Sequence, residues 1–229
     1  MMHDPATKLV IFDCDGVLVD SEPISVEVMV AEFEKAGVAI DADYVYRNFL
    51  GRSMATVVET ARAEFSFAIG ETFLNGLRHH LYERFRQDLK PITGLHAALD
   101  DLAKAGIGWC VASSSQPDRI ALSLTVTGLI ERFQPHIFSA TMVKNGKPAP
   151  DLFLYAAEKM ATHPHQCVVV EDSPAGLMAA RAAGMTALAF TGGGHAQGEA
   201  YESSIAALNP DARPNARFDA MADLIHFIP

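Results

Sequence analysis

Basic residues are in short supply: 18 Lys and Arg stand against 28 Asp and Glu, a formal net charge of −10. A surface this acidic offers little counter-charge to a phosphate backbone or an anionic bilayer, so neither nucleic acid nor a membrane is expected as a partner. Cysteine is equally scarce. Cys14, Cys110 and Cys167 form no C-x-x-C pair, and each lies in or beside an apolar run, the pattern of reduced, buried thiols. No stretch reaches the roughly 18 apolar residues of a membrane span, and "MMHDPATK" ahead of the first apolar run holds no signal core. A cytoplasmic protein is the expectation. Internal repeats and low-complexity tracts are also missing. The nearest candidate, "TGGGHAQG" at 191–198, lacks the G-x-G-x-x-G spacing of a dinucleotide site and reads as a loop.

What is present is apolar material in short, regularly placed runs. With 229 residues, 49% of them hydrophobic, the chain can bury one large core, or one core and a small satellite. Residues 8–13, 107–113, 137–140, 166–171 and 185–190 are nearly continuous in apolar character, as strands covered on both faces are. Helical patterns separate them: 95–105 stopping at Gly106, 117–127 at Gly128, 151–161 before Pro164, and 174–183 opening on Pro174 and stopping at Gly184. Between residues 21 and 90 the strand signal disappears. Met54, Val57, Val58, Ala61 and Phe65 keep helical spacing, as do Leu74, Leu77, Leu81 and Phe85. The expected fold is therefore α/β, a doubly wound, Rossmann-like parallel sheet formed by residues 1–20 and 91–229. Residues 21–90 would be an inserted, small, all-helical cap domain. Such sheets bind ligands at the carboxyl ends of their strands, where a cap would gate access.

The chemistry-bearing residues fall at those strand ends. Asp13 closes the first strand and Asp15 follows in a loop that Gly16 lets turn sharply, while Glu171 and Asp172 close another buried strand in "VVVEDSPAG". Carboxylates converging on one edge repel by roughly 4 kcal/mol per pair at 4 Å in a partly buried site, so a divalent cation is required. Oxygen donors with neither His nor Cys among them favour Mg²⁺ over zinc. "VASSSQPD" places Ser113, Ser114 and Ser115 where a strand gives way to a helix, a cradle for an anion. "NGKPAPD" confines Lys147 between Gly146 and Pro148, so a cation is held in place. Two Asp, a hydroxyl cluster, a lysine and an acidic pair are the parts of phosphoryl transfer through an aspartyl-phosphate.

In these residues the sequence resembles the haloacid dehalogenase-like hydrolases, with "FDCDGVLVD", "VASSS", Lys147 in "GKPAPD" and "VVVEDSPAG" matching the four motifs in order from about residue 8 to 190. The helical stretch between the first two motifs is similar to the small cap of the beta-phosphoglucomutase-like branch. The resemblance implies that Asp13 attacks phosphorus and that Asp15 protonates the leaving oxygen and then activates water. Ser113 and Lys147 would hold phosphoryl oxygens, helped by Ser114. Mg²⁺ would take the Asp13 carboxylate, the Asp15 backbone carbonyl and Asp172, with Glu171 alongside. The substrate implied is a small phosphorylated metabolite, a sugar phosphate or sugar-acid phosphate.

Gly51 and Arg52, in "FLGRSMATV", occupy the place of the specificity loop of such caps, and Arg52 could pair with a second anionic group of the substrate. An exposed arginine at a helix start is the competing reading. His79 and His80 point about 100° apart on a helix and are read as solvated, as are Arg78, Arg84 and Arg86. "THPHQ" at 162–166 reads as a loop. Two other functions are carried forward. A phosphosugar mutase would bear a histidine in the helix after the first motif, where Ser25 stands. A phospho-receiver domain would need neither residues 21–90 nor Asp15.

Overall fold

Five of the apolar runs are strands of one sheet in the computed structural model, which describes residues 7–49, 54–194, 196 and 199–229. They are β1 (Leu9–Phe12), β2 (Gly108–Ser113), β3 (Ile137–Ser139), β4 (Cys167–Glu171) and β5 (Thr186–Phe190). A further strand, β6 (Ala216–Phe218), was not anticipated, because three residues reading Ala-Arg-Phe carry no apolar run. All pairings are parallel, in the order β3-β2-β1-β4-β5-β6. β1 is thus central, and all its residues are buried.

The chain divides into two compact units: residues 1–20 with 90–229, and Ser21–Leu89. The second is helical, with α1 (Glu22–Lys35), α2 (Ala42–Asn48), α3 (Met54–Phe65) and α4 (Glu71–Asp88). Its core is aromatic: the buried Phe33 ring meets Phe49, Phe67 and Phe73 at centroid distances of 5.4, 5.8 and 5.1 Å. Val57 and Ala61 of the expected stripe are buried, whereas Met54 is 43% exposed at the start of its helix. Leu77, Leu81 and Phe85 give α4 its buried face. His80 departs from the solvated reading. Its Nδ1 lies 2.9 Å from Glu32 Oε1 on α1, a hydrogen-bond partner 48 positions away that a single-helix pattern does not reveal.

The sheet unit adds α5 (Leu95–Lys104), α6 (Pro117–Val126), α7 (Ile130–Phe133), α8 (Asp151–Lys159), α9 (Pro174–Ala182) and α10 (Glu199–Ala206). Leu9 and Ile11 pack on one face with Leu152, Phe153, Ala156 and Leu177 of α8 and α9. Alternation along the strand sends Phe12 to the opposite face, where its ring meets Phe133 of α7 edge-on at 6.2 Å. Cover on both faces explains the unbroken apolar strands. The three cysteines are free and buried, and among the described residues no helix is long and apolar enough to cross a membrane.

Candidate active site

Parallel register assembles the site. Phe12 pairs with Val170 of β4 and Val111 of β2, so the residues just beyond these partners emerge at one sheet edge. Asp13 is fixed there by its N–H, which donates to the Val170 carbonyl at 3.0 Å.

Lys147 supplies the central contact. Its Nζ donates to Asp13 Oδ1 at 2.5 Å and to Glu171 Oε1 at 2.6 Å, with the lysine side chain 3% exposed and that of Glu171 1%. The ammonium also sits 4.9 Å from the centroid of the Phe153 ring. Removing the ammonium would strand two buried carboxylates, a loss of about 3–5 kcal/mol. Glu171 is held on its other side too: Oε2 accepts from the N–H of Asp172 (2.9 Å), the N–H of Ser173 (2.8 Å) and Ser173 Oγ (2.9 Å). Ser173 simultaneously caps α9 by accepting from Gly176 N–H at 3.1 Å. Gly176 leaves room for all of this. A Cβ at that position would fall 1.8 Å from Glu171 Oε1 and 1.9 Å from its carboxyl carbon.

Asp13, Glu171 and Asp172 are all buried and offer one oxygen each within 4.8 Å of one another. Three carboxylates around one ammonium leave an excess of negative charge. Burial first, then the neighbouring Glu171 and Asp172, push the Asp13 carboxyl well above its usual range, with Lys147 opposing. Burial also works against ionisation of Glu171, but the Lys147 ammonium and the Ser173 donors outweigh it and hold that carboxyl below its ordinary value. Lys147 is kept charged by the same two carboxylates despite its own burial. A divalent cation fits this donor set: hard oxygens, a surplus of negative charge and no nitrogen or sulfur ligand in the group.

Asp15 leaves the strand through the turn in which Gly16 takes φ +77°, as the sequence suggested. Its carboxylate accepts from Ser115 Oγ at 2.7 Å and from Arg119 Nη2 at 2.9 Å. Ser113 is buried, and its Oγ accepts from the Ser115 N–H at 3.1 Å; Ser114 is exposed. Gly51 and Arg52 lie outside the described residues. Sequence reasoning missed Arg119, Ser173 and Gly176. A signal for Arg119 existed: a cation in the first turn of a helix opposes the helix dipole and calls for an anion beside it.

The family model described as haloacid dehalogenase-like hydrolase matches residues 10–190. The 6-phosphogluconate phosphatase of Escherichia coli K12 is 28% identical over 189 residues, covering 82% of this chain and 84% of its own. Hexitol phosphatase A of the same organism is 31% identical over 183 residues, covering 78% and 81%. A haloacid dehalogenase-like protein of unknown function from Agrobacterium tumefaciens superposes with a TM-score of 0.82 at 34% identity, covering 97% of both chains.

Proposed function

Since the chain belongs to the haloacid dehalogenase-like hydrolases and is a hydrolase of phosphate monoesters, we propose that it dephosphorylates a sugar phosphate or sugar-acid phosphate through an aspartyl-phosphate on Asp13. The observation that carries the reading is Lys147, clamped between Asp13 and Glu171 at the carboxyl edge of the sheet. An oxygen of Asp13 attacks phosphorus, the bond from phosphorus to the substrate oxygen breaks, and Asp15 gives its proton to that oxygen. A water molecule then attacks the phosphoryl group, Asp15 takes its proton back, and orthophosphate departs as the bond to Asp13 breaks. Lys147 and Ser113 hold phosphoryl oxygens, with Ser114 beside them.

Asp13, Asp172 and the backbone carbonyl of Asp15 would hold Mg²⁺. Glu171 lies within the acidic group, but its two oxygens already accept four hydrogen bonds, so its part is to fix Lys147. The cation supplies charge neutralisation to the incoming phosphoryl group.

Ser25 favours a phosphatase over a mutase. Its hydroxyl donates to the Ser21 carbonyl of its own helix at 2.9 Å and is thereby engaged, where a mutase would have a histidine able to carry a proton. The test is a panel of sugar and sugar-acid phosphates followed by ³¹P NMR with Mg²⁺, with EDTA, and with Mg²⁺ restored. Orthophosphate should appear only when Mg²⁺ is present. An isomerised hexose phosphate accumulating faster than orthophosphate establishes the mutase, and full turnover in metal-free buffer removes the metal from the reaction.

A further inference from the structure

The Asp15 carboxylate has a separate donor on each oxygen: Ser115 Oγ on Oδ2 and Arg119 Nη2 on Oδ1. The two donors come from different backbone features. Ser115 lies in the β2–α6 loop, and its carbonyl accepts from Ser139 Oγ at 2.7 Å; that buried hydroxyl in turn accepts from the N–H and Oγ1 of Thr141. Arg119 belongs to the first turn of α6, where a positive charge is disfavoured by the helix dipole and is stabilised by the anion it meets. Left to itself, an aspartate carboxylate rotates over a broad range about its last torsion. Donors on both oxygens, anchored on two elements, set its plane.

We propose that Arg119 is a positioning residue for the phosphoryl-transfer reaction: together with Ser115 it fixes the orientation from which Asp15 delivers its proton to the leaving oxygen. The proposal rests on the phosphatase reading above. In this assignment Asp13 still makes the bond to phosphorus, and Arg119 acts through Asp15. Asp15 also takes a proton from the attacking water, but kcat/KM reports the steps up to departure of the leaving oxygen, so the effect of Arg119 on it falls on the protonation of that oxygen. A nitrophenolate leaves readily without a proton, whereas an alkoxide does not, so the two leaving groups separate orientation of Asp15 from general damage.

The experiment compares kcat/KM for an alkyl phosphate from the substrate panel with that for p-nitrophenyl phosphate, in wild type, Arg119→Met, Arg119→Lys and Ser115→Ala, with melting temperatures measured alongside. Arg119→Met should lower the alkyl value about 30-fold and the aryl value less than about 3-fold. Arg119→Lys should recover most of the alkyl loss, and Ser115→Ala should show the same split at smaller size. Equal losses on both substrates, no loss at all, or a loss that lysine does not relieve overturns the assignment. Should Arg119→Met fail to fold, Ser115→Ala decides: an alkyl-to-aryl ratio equal to wild type overturns it. Wild-type protein inert toward both substrates overturns the phosphatase reading and this inference with it, whereas an active wild type with an unchanged ratio in the variants overturns this inference alone.

Discussion

The two units treat charge in opposite ways. In the sheet unit the Lys147 side chain is buried together with Asp13, Glu171 and Asp172. In the helical unit, apart from the Glu32 contacts, the described ion pairs lie outside an aromatic core: Arg84 meets Glu27 and Asp88 with those carboxylate side chains 62% and 47% exposed, and Arg86 meets Glu83. Exposed pairs of this kind contribute about 0–1 kcal/mol, so the helical unit keeps its shape through Phe33 and its ring neighbours. Buried like charges, by contrast, lower stability unless a ligand or cation compensates them. The sheet edge is built against its own stability, at an expense that supports the proposal of a reactive region there.

Asp13→Asn separates the two units by the largest effect. It should lower turnover by at least about a thousandfold, as loss of a nucleophile does. In metal-free buffer it should leave the melting temperature unchanged or higher, because one of three crowded carboxylates has gone. A fall in melting temperature of several degrees would show that Asp13 stabilises the fold, and the contrast between the units would break. Next in size is Phe33→Ala, where truncating a fully buried ring should cost about 3–5 kcal/mol in denaturant unfolding. A loss below about 1 kcal/mol would mean that the exposed ion pairs carry the helical unit after all.

The smallest effect concerns Glu32. Although burial opposes it, hydrogen bonds from Lys35 and His80 lower this carboxyl below its ordinary value. A depressed folded-state value means stability that is present above the unfolded glutamate range and lost as pH falls through the folded one. His80→Ala should therefore move the onset of acid unfolding to higher pH, read from circular dichroism against pH. An unchanged onset would leave Lys35 as the sole partner that matters.

Much of the sheet was legible because burial on both faces writes an unbroken apolar word, as in Leu9–Phe12 and residues 167–170. β6 was not, since an edge strand of three residues with Arg217 in its middle has no such word. The meeting of Lys147 with Asp13, 134 positions apart, could be anticipated because parallel strands bring their carboxyl ends to one edge and both residues stood at strand ends or in confined loops. Arg119 and Asp15 are separated by 104 positions, but one of them lies inside a helix, where pattern shows only which face is apolar and not what the polar face touches. His80 and Glu32 escaped notice for the same reason.

Gly176 carries a consequence for how this chain can vary. The volume a methyl group would occupy there is already taken by the Glu171 carboxylate. Any other amino acid at position 176 would accordingly displace the Glu171 carboxylate from its place beside Lys147. Shortening residue 171 to aspartate would open the space but draw the acceptor back from Nζ by about one methylene. In the language of inheritance, glycine and glutamate five positions apart form one allele: neither can mutate first without cost, so tolerated change here would have to arrive as a pair.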